Sequence, residues 1–186
     1  MPLPDSTFHP QQISSSLSLS TNAHICVSVR NPLSDYEIRE KVVLNPSVHA
    51  EQDNENSREP PCHLALKWEG SKKRSTITVL TAAESKATIK KLGKKKKGGG
   101  GRGEVGIPRD YEVGDSGDFV PVLAMDCRGV EPYAFHAMGD EFVAMSEGGA
   151  TFDSDVDLSE ADWADYDEEN DISVSISDFE AKFISA

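Results

Sequence analysis

The sequence predicts an all-β fold made mostly of antiparallel sheets, with at most one or two short helices. Two observations lead to this prediction: many short segments alternate apolar and polar residues with a period of two, and turn-forming residues separate them at short intervals. Only one stretch carries helix signals. At 186 residues the chain has the length of one ordinary domain, and we expect a single β domain over residues 23–184.

The first 22 residues are predicted to be a disordered tail. They are rich in Ser, Pro and Gln and contain few large apolar groups. Such a segment buries too little apolar surface to offset the entropy lost on ordering. We therefore expect residues 1–22 to lie outside the β domain.

Two strands are expected at the start of that domain. Ile25, Val27 and Val29 alternate with smaller or polar residues, and Asn31-Pro32 ends the pattern. A second strand is predicted over residues 36–44. The polar stretch 45–61, which ends in two prolines, is then predicted to be a mobile surface loop.

Strands resume beyond this loop and lead into a helix. Leu64, Leu66 and Trp68 alternate along one strand, and the β-branched run 76–80 continues after a turn at Gly70. The next predicted elements are a helix over 82–92, begun by a capping box at Thr81 and Glu84 and ended at Gly93, and a mobile Lys- and Gly-rich loop over 93–118.

The second half contains further strands. Residues 119–127 are apolar on both faces, which is typical of a central strand, and 142–145 form a shorter one. Near the C-terminus, apolar residues occupy even positions at 172–176 and odd positions at 179–183. A strand cannot change face without a bulge or bend, so we predict a tight bend at 177–178.

Charge and cysteine content limit the class of protein. The net charge is −13, yet residues 67–102 hold 12 Lys/Arg and two Asp/Glu, whereas residues 126–186 hold two Lys/Arg and 17 Asp/Glu. The three cysteines are far apart, and no apolar run approaches the ~20 residues of a membrane span. We expect a reduced, intracellular protein that is cytoplasmic, with the nucleus as a further location, and no membrane partner.

Several spaced motifs in the C-terminal third carry a family resemblance. They are Asp-Cys-Arg-Gly-Val-Glu-Pro (126–132), Glu-Gly-Gly-Ala-Thr-Phe (147–152), Val-Asp-Leu (156–158) and Asp-Trp-Ala-Asp-Tyr-Asp-Glu-Glu-Asn-Asp (162–171). In order and spacing they resemble the eukaryotic CXXC-motif-containing zinc-binding proteins. The resemblance implies a mostly antiparallel β fold of two similar halves, with a zinc ion held in the first half by two CxxC pairs.

This chain contains no CxxC pair. Aligned by the resemblance, the family's ligand positions fall on Cys26, Val29, Thr78 and Thr81. One thiolate cannot hold a structural zinc, and threonine hydroxyls are weak neutral ligands. We therefore expect a member whose zinc site is lost, with no cofactor, in which sheet packing replaces the ion.

Two alternatives stay open. Cys26 and Cys62, together with His24 and His63, could form a substitute zinc site, although adjacent Cys62 and His63 point to opposite faces of a strand. The Lys- and Gly-rich segment 90–103 could bind nucleic-acid phosphates without sequence specificity, because it carries several cations and no aromatic residue.

The sequence does not predict an enzyme. Gly-Asp-Ser-Gly at 114–117 resembles the nucleophile loop of trypsin-like proteases, but Ser116 would need a histidine, an orienting carboxylate and an oxyanion hole. The chain is too short for the double barrel that normally supplies them. We expect a non-enzymatic protein that acts through contacts with a protein partner whose identity the sequence does not give.

Overall fold

The computed structural model describes residues 4–9, 12–13, 15–34, 36–51, 60–95 and 106–185, and within them it confirms an all-β fold. Every strand pair in these ranges is antiparallel. The elements are β1 Pro4–His9, β2 Gln12–Ile13, β3 Ser15–Leu19, β4 Ile25–Arg30, β5 Ile38–Leu44, β6 Leu64–Leu66, β7 Ser75–Leu80, α1 Ala82–Lys95, a 3₁₀ turn Val113–Asp115, β8 Val120–Arg128, β9 Glu131–His136, β10 Phe142–Ser146, β11 Thr151–Phe152, β12 Trp163–Asp167, β13 Ile172–Ser177 and β14 Glu180–Ser185.

The described strands form four sheets. The largest has the order β14-β1-β8-β7-β6, and three smaller sheets have the orders β5-β4-β9, β11-β10-β3 and β12-β13-β2. β8 lies in the middle of the largest sheet, as its two-sided apolar sequence predicts. No helix within the described ranges is long and apolar enough to cross a membrane.

The disordered tail predicted over residues 1–22 is wrong for the residues that the structure describes. β1 pairs with β8 and β14, β2 pairs with β13, and β3 pairs with β10. Leu17 is 1% exposed. Composition misled the prediction because a strand added to an existing sheet gains backbone hydrogen bonds without needing many apolar side chains of its own.

The loop predicted over 93–118 also requires correction where it is described. Tyr111 is fully buried and forms a bridge with Leu17, hydrogen-bonding through its backbone in both directions. Arg109 donates two hydrogen bonds of 2.6 Å to the Asp115 carboxylate. Residues 106–118 are therefore anchored to the core at Tyr111, although most of them are exposed. Residues 96–105 of that loop and residues 52–59 of the predicted loop 45–61 lie outside the described ranges.

Among the described residues, two hydrophobic clusters make up the core, and Leu19, Val122 and Phe135 pack against both. The cluster that we call the β4 cluster consists of Ala23, Ile25, Val27, Val29, Leu44, Trp68, Ile77, Leu123, Met125, Cys127 and Val130. The second, called the β10 cluster, consists of Leu17, Tyr111, Val120, Phe142, Ala144, Val156, Leu158, Ile176 and Phe179.

The predicted helix and the predicted bend are both present. Thr81 and Glu84 form the reciprocal bonds of a capping box: the Glu84 carboxylate accepts from the Thr81 amide at 2.9 Å, and the Thr81 hydroxyl accepts from the Glu84 amide at 3.3 Å. The helix continues to Lys95, beyond the expected end at 92. Between β13 and β14, Asp178 has a φ of +53°, and the two strands belong to different sheets.

Candidate metal centre

The structure does not bring the four expected ligand positions together. Cys26 and Val29 lie inside β4, where both are buried. Thr78 lies in β7, in another sheet, and Thr81 precedes α1. Burial raises the pKa of the Cys26 thiol, which disfavours the thiolate that a metal needs. These positions therefore do not form a tetrahedral site.

The residues of the substitute zinc site are also engaged separately. His24 Nδ1 lies 3.0 Å from Asp140 Oδ2, and His63 Nδ1 accepts a hydrogen bond of 2.9 Å from the Val79 amide. Cys62 is 3% exposed. Within the described ranges, no group of three or more His, Cys, Asp or Glu side chains is placed to hold a metal ion.

Two four-residue turns elsewhere have the spacing of a CxxC pair. In the turn 31–34 the Ser34 amide donates to the Asn31 carbonyl, and in the turn 68–71 the Ser71 amide donates to the Trp68 carbonyl, each at 3.1 Å. The first follows β4 and the second follows β6. Such a turn at a strand end places its first and fourth side chains where both could reach one ion.

A carboxylate joins these two turns. Glu37 Oε2 accepts from Asn31 Nδ2 at 2.5 Å, and Glu37 Oε1 accepts from the Glu69 amide at 2.8 Å. The Glu37 carbonyl also accepts from the Asn31 amide at 2.9 Å. The two turns therefore face each other across one side chain.

The first and fourth positions of these turns do not fit zinc. They hold Asn31, Ser34, Trp68 and Ser71, with no thiol or imidazole among them. Trp68 is 5% exposed, and its indole N–H donates to the Gly129 carbonyl at 2.8 Å. Its side chain therefore packs in the core and does not point toward a metal site. The sequence did contain signals for these turns, Asn31-Pro32 and Gly70, but gave no indication that they meet.

A cleft of about 630 Å³ lies beside the end of β7 and the start of α1. The His49 and His63 rings stand 5.2 Å apart at its wall, and Asp126 carries a hydrogen-bonded Arg128 at 2.7 Å. It includes two of the expected ligand positions, Thr78 and Thr81. The described residues that line it are Pro46, His49, Pro60, Pro61, His63, Thr78, Val79, Leu80, Thr81, Glu84, Asp126 and Arg128.

Electrostatics favour a negative cleft. The Thr81 hydroxyl and amide, which donate to Glu84, hold the pKa of that carboxyl below its usual range. Burial lowers the pKa of His63, and neighbouring His49 lowers it further. Glu84 is therefore ionised and His63 neutral at pH 7. Beside them, Arg128 forms an ion pair with Asp126.

The candidate nucleophile, the histidines and the basic segment lie in separate parts of the described structure. Ser116 follows the 3₁₀ turn and is exposed, whereas His24, His63 and His136 hydrogen-bond to Asp140, Val79 and Ser28. Residues 90–95 of the basic segment belong to α1, and residues 96–103 lie outside the described ranges.

The fold and the site together define an all-β protein with two facing turns of CxxC spacing and no metal-binding side chains in them. The sequence profile of the eukaryotic CXXC motif containing zinc binding proteins matches residues 12–184. The chain belongs to this family.

Individual relatives are similar over part of their length. The UPF0587 protein CG4646 of Drosophila melanogaster is 43% identical over 74 residues, which are 40% of this chain and 45% of that protein. The CXXC motif containing zinc binding protein of Homo sapiens is 34% identical over 76 residues, or 41% of this chain and 47% of the relative. The matched segments thus span less than half of these relatives.

Solved structures share the fold over the whole chain. A hypothetical protein from Plasmodium falciparum superposes with a TM-score of 0.76 at 19% identity, covering 99% of this chain and all of the other. C1orf123 superposes with a TM-score of 0.73 at 18% identity, covering 99% of both chains. At such identities the likeness concerns the fold alone.

Proposed function

We propose that this chain is a non-enzymatic member of its family that does not hold zinc and acts by binding a protein partner. The metal part of the proposal is supported by the donor chemistry. Both the positions expected from the sequence and the two facing turns lack the set of thiolates and imidazoles that a structural zinc requires.

The non-enzymatic part is supported by the placement of the candidate nucleophile. Ser116 lies in the segment that the Arg109–Asp115 ion pair fixes, while three histidines hydrogen-bond to other residues. We also place the protein in the cytoplasm, with the nucleus as a further location, because its three cysteines are buried thiols.

The observation that carries the partner proposal is the cleft beside α1. Proline rings and Leu80 give it apolar walls, and the carboxylates of Glu84 and Asp126 give it acceptors. Concave sites with apolar walls and a few polar groups are typical of binding sites. Among the described lining residues, two carboxylates stand against one guanidinium, which favours a cationic ligand over an anionic one.

Arginine fits this cleft better than lysine. A guanidinium is planar, donates to carboxylates in a fixed fork and stacks on ring faces, whereas an ammonium is a strongly hydrated point charge. The paired rings of His49 and His63 supply such a face. The proposed partner therefore presents an arginine on an extended segment.

Titration with short peptides tests this proposal. We expect a tetra-arginine peptide to bind several times more tightly than a tetra-lysine peptide, with shifts of the His63 and Glu84 amide signals in NMR spectra. Glu84→Gln should weaken tetra-arginine binding about tenfold. Glutamine can still accept in a capping box, so the helix start is kept.

The matched control is Glu160→Gln, which removes the same charge at an exposed site. It should leave the affinity within about twofold. Equal binding of both peptides, or equal weakening by both variants, would mean that general acidity and not the cleft holds the peptide.

Metal analysis tests the other half of the proposal. Protein purified without chelators should contain far less than one zinc per chain, and EDTA should leave its melting temperature unchanged. Stoichiometric zinc would contradict the proposed loss of the site.

A further inference from the structure

We propose that the carboxylate of Glu37 replaces the metal in this chain, by joining the turns 31–34 and 68–71 with charge-assisted hydrogen bonds. We call this arrangement the Glu37 clamp. It deepens the proposed loss of zinc, because it says what holds the two turns together once no ion does.

The geometry of the clamp uses both oxygens of the carboxylate. Oε2 accepts from the Asn31 side-chain amide at 2.5 Å in the first turn, and Oε1 accepts from the Glu69 backbone amide at 2.8 Å in the second. Hydrogen bonds to an ionised acceptor are about twice as strong as neutral ones. One side chain thus makes a strong bond to each turn.

Asn31 is suited to its position because its amide has a donor and an acceptor. While Nδ2 donates to Glu37, Oδ1 accepts from the Leu33 amide at 3.0 Å and shapes the turn from inside. A cysteine could not make both bonds. The residue that stands at the first position of a CxxC-spaced turn has therefore become part of a hydrogen-bonded junction.

The second turn is anchored independently to the sheet. The Trp68 indole and the Ser75 hydroxyl both donate to the Gly129 carbonyl, at 2.8 and 2.7 Å. The Arg39 guanidinium lies 5.8 Å from the centre of the Trp68 ring. Arg39 and Glu37 belong to the same short segment after the first turn, so that segment contacts the second turn through two side chains.

The clamp has a consequence that a metal junction does not share. Removing the Glu37 carboxylate leaves the Asn31 side chain and the Glu69 amide without their acceptor, but a chelator has nothing to remove. The junction should therefore be sensitive to a substitution at 37 and insensitive to EDTA.

The test compares Glu37→Ala with Glu40→Ala in the full chain. Glu40 is an exposed residue of β5. We expect Glu37→Ala to lower the melting temperature by roughly 5 °C, as for the loss of hydrogen bonds to a charged group in a chain of this size. Glu40→Ala should change it by roughly 1 °C.

A local readout separates the clamp from general destabilisation. Hydrogen exchange of the Glu69 amide should become at least about tenfold faster in Glu37→Ala, while buried amides of β8 and the Glu69 amide of Glu40→Ala keep their rates. Should Glu37→Ala not fold, Glu37→Gln serves instead. Its head group has one acceptor oxygen, so we expect roughly half of the melting-temperature change.

The outcomes distinguish this inference from the proposed function. An unchanged Glu69 exchange rate in a folded Glu37 variant would overturn the clamp while leaving the loss of zinc intact. Stoichiometric zinc together with a melting temperature that falls in EDTA would overturn both. Arginine-peptide binding that Glu84→Gln leaves unchanged would overturn the partner half of the proposed function while leaving the clamp intact.

Discussion

Each of the two hydrophobic clusters has a hydrogen-bonded carboxylate at its margin, but the residues that take part differ. Next to the β10 cluster, Asp167 accepts from the Ser146 hydroxyl at 2.6 Å and from the Asn170 side chain at 2.9 Å. Next to the β4 cluster, Glu37 accepts from two turns. In each place a carboxylate joins two segments of the chain.

The difference lies in which residues take part. Asp167 belongs to the acidic motif 162–171 by which the sequence resembles its family, and Trp163 of that motif packs edge-on against Phe152 of the motif 147–152, with ring centres 5.5 Å apart. In the β4 margin, by contrast, the first and fourth residues of the two turns, Asn31, Ser34, Trp68 and Ser71, include no cysteine. One margin thus contains motifs of the resemblance, and the other is joined by the hydrogen bonds of Glu37.

Apolar packing stabilises both clusters of the core. A metal contributes stability by holding turns that packing alone does not fix. Here Trp68 fills part of the β4 cluster from the second turn. Its buried indole therefore adds apolar surface to the core at the second turn.

The largest expected effect is a cavity in the β10 cluster. Phe142 is 2% exposed and contacts Phe135 and Phe179 edge-on, so Phe142→Ala should lower the free energy of unfolding by ~3–5 kcal/mol. Denaturant unfolding measures it. A loss of less than about 1 kcal/mol would contradict the view that apolar packing stabilises the β10 cluster.

A smaller effect is expected in the β4 cluster from Trp68→Phe. The ring stays buried, but the Gly129 carbonyl loses the indole donor and keeps the Ser75 hydroxyl. The expected loss is about 1–2 kcal/mol in denaturant unfolding. If Trp68→Phe leaves the free energy of unfolding unchanged, the indole hydrogen bond contributes nothing measurable. The second turn would then be anchored by apolar packing alone.

The contribution of Asp167 to the stability of the protein is expected to depend on pH. The Ser146 hydroxyl and the Asn170 side chain hold the pKa of this carboxyl below its usual range. Its contribution is therefore complete above pH ~4, the unfolded-state pKa, and is lost as the pH falls through the lower folded-state pKa.

Melting curves of Asp167→Asn from pH 6 to pH 2.5 measure this effect. The difference from the original protein should be largest near pH 6 and should shrink as the solution becomes more acidic. The exposed control Glu160→Gln should show no such trend. A constant difference across the range would mean that the charge of Asp167 is not what the two hydrogen bonds stabilise.

The smallest effect is expected at the surface of the β5-β4-β9 sheet. Arg30 donates two hydrogen bonds, of 3.0 and 2.8 Å, to the half-exposed Glu131 carboxylate. Such exposed pairs contribute ~0.2–1 kcal/mol and are screened by salt. Glu131→Gln should thus change stability by less than about 1 kcal/mol, and less still in 1 M NaCl. A larger loss would show that this margin depends on ion pairs.

Much of the fold was predictable because its signals are local. Alternation at Ile25, Val27 and Val29 predicted β4, the capping box at Thr81 predicted the start of α1, and the change of face near 177–178 predicted the bend before β14. Each pattern depends on a few consecutive residues whose side chains must face the core or the solvent.

The prediction of a disordered tail was wrong because the signals for its strands are not local. Residues 4–19 carry little apolar side-chain signal, and their strands exist because β8, β10, β13 and β14 offer backbone partners from far along the chain. The alternation of Leu17 and Leu19 was the one available signal, and it is too short to override composition.

The sequence by itself determined the β class, the main strands, the family motifs and the absence of CxxC pairs, because composition and period are properties of neighbouring residues. Only the tertiary structure decided that residues 31–34 and 68–71 face each other across Glu37, and that the expected ligand positions lie in separate sheets. Which turns meet depends on contacts between segments that are far apart in sequence. A hydrogen bond between two such segments leaves no recognisable pattern in the sequence of either one.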